Sequence, residues 1–430
     1  MLQQIKTKNI KKIVYIISLF LITFQIILLS ILHQNWPVTL NLLVPDSSIP
    51  YQEFIQAFES QHPRIHIKLV VASGQSNNIA TTDDLEASYR NVFRTSNGSP
   101  FDLIYLDVIL VEEFAQKGWL QDIDSLSSPQ QLKQFQKNFR PLDWQGGIYE
   151  NKQYRIPFFS AVGMLFYRED LLGEKKVPQT FNELITIAKE LQNPQEGLWG
   201  YVWQGKQYEG LVAMFMEVLK GYGGFWLNPE TKEVGLNQQA ALKAAQFLRQ
   251  LKQISPPDIT TYDENKSLQT FLKGKAIFLR NWPYALREID ASIYKGKVKV
   301  MPLISQTGQN RAGCLGGWGF AIAKNSKHQK EAWQAIQFFV EEINQKKLFT
   351  ETGFLPSYQN LNVGRLAQDS LNALEEIFST AVLRPQIPDY KKASKILQNY
   401  LYQVLTSKED ITKIMNNAAQ ETRDLIEYYQ

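Results

Sequence analysis

Residues 278–286 read FLRNWPYAL. Two large rings, Trp282 and Tyr284, stand there in a turn signal made by Arg280, Asn281 and Pro283, where a chain bends and meets water. A ring in such a place can stack its flat apolar face on a ligand while polar neighbours bind the ligand's rim. The same residue types recur at strand ends and turns. Asp107 closes the buried run FDLIYLD, Glu209 sits in QYEGL, Trp318 stands in GGWGF beside Gly317, and Arg384 opens RPQIPDY. As a set these residues suit a pyranose, which offers a C–H face to an indole and a rim of hydroxyls to carboxylates, Asn and Arg. Hydrogen bonds to such charged groups contribute about 1.5–3 kcal/mol each.

Other chemistries find less support. The chain has no HExxH, no GxSxG and no GxxxxGK[ST]. His62 and His66 have i,i+4 spacing, but Pro63 lies between them and a strand-like run follows, so they make a poor metal pair. GYGGFW (221–226) is glycine-rich but follows a helical stretch, which reads as a helix-ending turn and not a phosphate loop. No spacing points to a pair of catalytic acids, and no cofactor or metal is expected. The single cysteine, Cys314, excludes an intrachain disulfide and lies too far along the chain to be a lipid attachment point after the N-terminal apolar run.

That run sets the first boundary. Residues 1–12 hold Lys6, Lys8, Lys11 and Lys12 and no acid, and residues 13–32, IVYIISLFLITFQIILLSIL, carry no charge. As a helix, 20 such residues reach ~30 Å, the thickness of a bilayer core. The lysines predict a cytoplasmic N-terminus and an exported remainder. No small-x-small cleavage site follows, so the expectation is an uncleaved anchor. Without those four lysines the 46 basic residues fall to 42, equal to the 42 acidic ones. A neutral exported part argues against a nucleic-acid partner.

The elements that must position the candidate residues follow from periodicity. VTLNLLV (38–44) reads as a strand, and Tyr51, Phe54, Ile55 and Phe58 lie on one helical face. IHIKLVV reads as a strand, DDLEASYRNVFR as a helix, FDLIYLD (101–107) as a buried strand and ILVEEFAQKG as a helix. This alternation predicts an α/β layer with a mostly parallel sheet that binds ligand at its carboxyl ends, where Asp107 lies. A second α/β stretch begins near 163, with helices expected at 180–192, 209–220 and 238–253. A chain of 430 residues exceeds one ordinary core, and the interleaving favours two lobes sharing several crossings.

On FDLIYLDVILVEEFAQKGWLQDID, YRIPFFSAVGMLFYREDLL, GYVWQGKQYEGLVAMFMEVLKGYGG, FLRNWPYAL, LGGWGFAIAKNSKHQKEAW and RPQIPDYKKASKILQ, the chain resembles the extracellular solute-binding proteins of carbohydrate ABC transporters. The trehalose/maltose-binding branch is the most similar. The blocks run in the family's order over residues ~40–410. The resemblance implies a two-lobed periplasmic-binding-protein fold of class II type. Lobe I is expected at 36–160 plus 281–341 and lobe II at 161–280 plus 342–430, after a tail and anchor at 1–35. It implies sugar in the cleft between lobes, with Asp107 accepting from hydroxyls, Glu209 lining the cleft, Trp282 and Trp318 stacking beside the Gly317 backbone and Tyr284, and Arg384 donating.

Two departures stand out. Ala161 occupies a position that is acidic in that branch. The loop before the first helix reads PDSSIP, leaving Asp46, Ser47 or Ser48 where the branch has a Glu. The expected role is thus a monomeric, membrane-anchored, extracytoplasmic binding component of an importer, taking a disaccharide or a glycosylated solute to its permease, without catalysis. The alternative is the same lobes acting as a sugar sensor that signals to a membrane partner.

Overall fold

A computed structural model describes residues 20, 23, 37–44, 49–71, 89–90, 101–359, 368–385, 387 and 389–429. Two α/β lobes are joined by a small connecting sheet. In the first lobe, Val38–Val44 pairs in parallel with Ile65–Val71 and with Leu103–Asp107, and Trp318–Ala323 runs antiparallel beside Leu103–Asp107. Successive side chains of a strand face opposite ways. Leu103 and Tyr105 therefore enter one core and Ile104 and Leu106 another, on the two faces of the same sheet. This is why FDLIYLD is apolar without alternation. The helix Tyr51–Gln61 lays Tyr51, Phe54, Ile55 and Phe58 onto the first of these faces, where the Phe58 ring meets Phe338 of the helix Gln329–Phe339.

The second lobe is built on the strand order Trp199–Val202, Ala276–Asn281, Met164–Arg168, Val298–Pro302. The helix Glu209–Gly221 is buried all round except at Lys220, as expected of a helix in the middle of a large core. Helices Phe181–Leu191, Gln239–Leu251 and Tyr390–Thr406 enclose it.

Two strands carry the chain between lobes. Phe159–Val162 and Gly313–Gly316 pair antiparallel, flanked by Leu355–Pro356 and Ala381–Val382. Phe159 and Ala161 pack in the first core and Val162 in the second, so a single strand spans both. The lobe boundaries differ from those expected. Ala285, Ile289 and Met301 lie in the second core although the expected boundary is at 281, because Val298–Pro302 adds to the second sheet beside Met164–Arg168. Leu348 lies in the first core although the expected boundary is at 342. The expected anchor, residues 13–32, lies outside the described residues apart from Phe20 and Thr23. Among the described residues no helix is long and apolar enough to cross a membrane.

One buried ion pair ties the second lobe to the connecting sheet. Arg280 is 0% and Glu217 3% exposed. Arg280 Nε donates to Glu217 Oε2 at 2.9 Å, Nη2 donates to Oε1, and Nη1 donates to Gln204 Oε1 at 3.1 Å. Glu217 Oε1 also accepts from the Cys314 backbone N–H at 3.0 Å. The pair stands so close to the connecting strand that a Cβ on Gly163 would lie 1.9 Å from Glu217 Oε1, which explains the glycine. Removing one member of a buried pair leaves the other unpaired and costs about 3–5 kcal/mol. Glu217→Ala is therefore expected to lower the unfolding free energy from urea titration by that amount, and the double change Glu217→Leu with Arg280→Met to cost less than the single change. A single variant with a wild-type midpoint would show that the pair is not structural.

Candidate functional site

The site is assembled from Trp282 outward. The strand Ala276–Asn281 ends at the buried Asn281, whose Oδ1 accepts from the Trp282 backbone N–H at 2.8 Å. The Trp282 Nε1–H donates to Glu264 Oε1 at 3.3 Å, and Glu264 Oε2 accepts from Tyr208 Oη at 2.6 Å. The Arg280 guanidinium lies 4.0 Å from the Trp282 ring centroid, so the buried ion pair backs one face of the indole. The ring is half-buried and packs against the first-lobe core although its strand belongs to the second lobe. A Cβ on Gly316 would come 3.5 Å from it.

Trp318 stands opposite Asp107 in the antiparallel register. Its half-buried ring is stacked on Tyr105 at 5.4 Å with the planes 21° apart. Gly317, just before it, has φ +120°, where a Cβ would meet the Phe159 carbonyl at 2.6 Å. The Gly317 carbonyl accepts from the Val108 N–H at 3.2 Å and from Arg155 Nη2 at 2.9 Å. Asp107 caps the next turn, its Oδ1 accepting from the Ile109 N–H at 3.3 Å.

Arg384 reaches across from the other lobe. Its Nη1 donates to Glu209 Oε1 at 2.7 Å, and its Nη2 lies 3.9 Å from Asp107 Oδ1. Glu209 begins its helix and is 6% exposed. Tyr390 Oη donates to its Oε1 at 2.7 Å and Ser394 Oγ donates to its Oε2. Burial pushes the Glu209 carboxyl above its ordinary value, while the Arg384 charge and the Ser394 and Tyr390 hydroxyls pull it back. One arginine thus stands between an acid of each lobe.

Asp107, Glu209, Gly317, Trp318 and Arg384 therefore come together, with Trp282 joined to them past Gly316. Tyr284 packs on the second core with its ring 6.3 Å from Phe354. Asp46, Ser47 and Ser48 lie outside the described residues. Ala161 is buried in the connecting sheet opposite Gly316. Sequence reasoning missed Glu264, Tyr105, Tyr390 and Arg155. Of these only Tyr105 was signalled, by its place in the buried strand two residues before Asp107.

Arg155 leads to a second buried group beneath the connecting strand. Among the described residues neither carboxylate oxygen of Asp143, 2% exposed, has a hydrogen-bond partner, nor do Ser160 Oγ and Arg155 Nη1. Burial pushes the Asp143 carboxyl up to about 7, with the Ser160 hydroxyl and the Arg155 and Arg140 charges pulling the other way.

A family model described as bacterial extracellular solute-binding protein matches residues 45–346. A probable ABC transporter-binding protein of Deinococcus radiodurans is 31% identical over 283 residues, 61% of this chain and 67% of that one. The maltotriose-binding protein of Pyrococcus abyssi is 23% identical over 249 residues, 57% of this chain and 52% of that one. Among solved structures, maltose-bound T. maritima MalE3 aligns with a TM-score of 0.78 and 29% identity over 90% of this chain and 100% of that one.

The raised Asp143 gives a signed prediction. Between its ordinary value of 3.8 and about 7 the folded protein holds this proton more tightly than the unfolded chain, so the group's contribution to stability falls as pH rises through that window. Asp143→Asn should match wild type in Tm near pH 4 and exceed it increasingly up to pH 7, with no further gain above. A difference independent of pH would show that Asp143 titrates normally.

Proposed function

This chain belongs to the bacterial extracellular solute-binding protein family, and we propose that it is the binding component of an ABC importer for a disaccharide or a glycosylated solute. In this reading it closes its lobes on the sugar and delivers it to the permease, acts as a monomer, and stays at the extracytoplasmic face of the membrane through residues 13–32. The observation that carries the reading is the pair of half-buried indoles, each backed on one side, Trp282 by Arg280 and Trp318 by Tyr105. A backed, half-buried ring is a rigid platform for a pyranose C–H face. Asp107 from one lobe and Glu209 and Arg384 from the other are the hydroxyl partners beside the platforms. A sugar meeting both sets only when the lobes are shut would draw them together.

The relatives that match are binding proteins, one named for maltotriose and one solved with maltose bound, which supports a carbohydrate ligand. Ala161 lacks the acceptor expected in the trehalose/maltose branch, so a different disaccharide or a glycosylated solute is the favoured ligand within that branch.

The test is Trp282→Ala, titrated with maltose, trehalose, sucrose and lactose. If the ring covers ~100 Å² of sugar, its loss removes ~2.5 kcal/mol of binding and weakens affinity roughly 70-fold. The ligand-free Tm should fall only by a few degrees. A variant that melts early yet binds sugar with near-normal affinity in the cold would make Trp282 a packing residue and overturn the site.

The anchor is tested separately. The full-length protein should stay in the membrane fraction after a high-salt wash, and a soluble mature form beginning near Asn35 would overturn it.

A further inference from the structure

Beside the Asp107–Arg384 contact a small, partly open chamber lies between the lobes. Val108, Val111 and Glu112 line it on the first lobe, Leu383, Arg384 and Tyr390 on the second. Gly146 lies between the two walls. A Cβ there would lie 2.4 Å from Val108 Cγ2 and 3.4 Å from Leu383 Cδ2. The charged lining groups are differently placed. Arg384 is committed to Glu209 and Asp107. Glu113, next to Glu112 on the helix Val111–Gln116, is buried against Arg90 and Lys117. Glu112 itself is half-buried, and among the described residues no hydrogen bond or ion pair holds its carboxylate.

We propose that Glu112 is a specificity-determining residue that accepts a hydroxyl hydrogen from the second unit of the bound solute, the first unit resting on the indoles. The proposal rests on the sugar-binding reading and deepens it. The other lining residues on the two walls, Val108, Val111 and Leu383 among them, are largely apolar. This lining suits the edge of a unit with one apolar face and a hydroxyl rim reaching in from the open side, such as a second pyranose or the hydroxylated aglycone of a glycoside, in preference to a lone monosaccharide.

The electrostatics give this residue a signature of its own. Burial pushes the Glu112 carboxyl up to about 7, against the pull of the Lys232 charge from the facing lobe. Tyr149, on the short strand packed against the same helix, feels the Glu112 charge and is pushed up to about 12, chiefly by burial, and Glu150 lies beside it. Tyr390, on the opposite wall, is held neutral. Glu112 is then the group in this chamber whose protonation changes near neutrality. A ligand hydroxyl donating to it stabilises the carboxylate, lowers its pKa on binding and expels a proton. Affinity for a two-unit sugar should therefore rise as pH rises through about 7.

The experiment is calorimetric titration of the full-length chain in detergent at pH 5.5, 7 and 8.5. Wild type and Glu112→Gln are compared with maltose, trehalose, sucrose and lactose, and with methyl α-glucoside as a one-ring control. Each is run in phosphate and in Tris, whose ionisation heats differ. We expect wild type to release a fraction of a proton per disaccharide at pH 7 and to bind roughly 10-fold tighter at pH 8.5 than at 5.5, the difference between a charged and a neutral acceptor. Glu112→Gln should lose both effects, exceed wild type in ligand-free Tm by a margin that grows from pH 5.5 to 7 because the burial cost of the charge is gone, and bind methyl α-glucoside as wild type does. If Glu112→Gln keeps the wild-type proton release and pH profile while Trp282→Ala abolishes disaccharide binding, the inference about Glu112 fails and the sugar site stands. If wild type binds none of these sugars, the disaccharide reading and the inference about Glu112 both fail.

Discussion

The bidentate pairing of Arg280 with Glu217 is the constraint around which the second lobe and the candidate site are arranged. Taking two charges out of water is costly, and their attraction offsets that cost only when geometry is good and the remaining donors and acceptors are satisfied. Here they are: Gln204 takes the third guanidinium nitrogen and the Cys314 N–H meets the carboxylate. These partners lie on the lobe's central helix, its central strand, the loop after Trp199–Val202 and the connecting strand. Because the pair sits where those segments cross, none of them can shift without unpairing a charge. The same guanidinium then presents its face to Trp282, so the position of the indole is inherited from the most rigid part of the lobe.

The connection between lobes rests on a different kind of economy. Gly163 and Gly317 lie at the ends of the connecting strands, each because a Cβ would collide, with Glu217 in one case and the Phe159 carbonyl in the other. Between them, Phe159–Val162 and Gly313–Gly316 hold their ladder while their side chains enter two separate cores. Under the proposed closing of the lobes, bending there would change the angle between them while each core keeps its own packing, and residues that meet across that angle, Asp107 and Arg384 above all, would register it.

Much of the fold was legible in the sequence because it is written in local period. The strand 38–44, the apolar face Tyr51–Phe58, the helices near 181, 209 and 239 and the turn at GYGG follow from spacing alone. The lobe boundaries were harder, because the edge strand Val298–Pro302 is declared by its pairing with Met164–Arg168 and not by its own composition. The candidate residues at strand ends were legible from their exposure-defying rings and charges, and the structure gathers Asp107, Glu209, Trp318 and Arg384. Their supports were not legible. Glu264 beneath Trp282 and Ser394 beneath Glu209 are joined over 18 and 185 residues of sequence, and no single-chain pattern encodes such pairings. No spacing in the sequence marks Glu112, because the wall it faces, Leu383, Arg384 and Tyr390, lies far along the chain.

The polar supports of Trp282 lie in the network running from Glu217 through Arg280 and Gln204, with Glu264 and Tyr208 at its edge. Nothing in that network depends on what the ring's free edge touches. Changes on the cleft side would alter contacts to solute or water and would leave core packing and charge pairing in place, so their effect on stability is small. Scaffold and reading surface can then vary separately across generations. A lineage could drift from one solute to another, through single changes at half-buried positions such as 112, without passing through an unfolded ancestor.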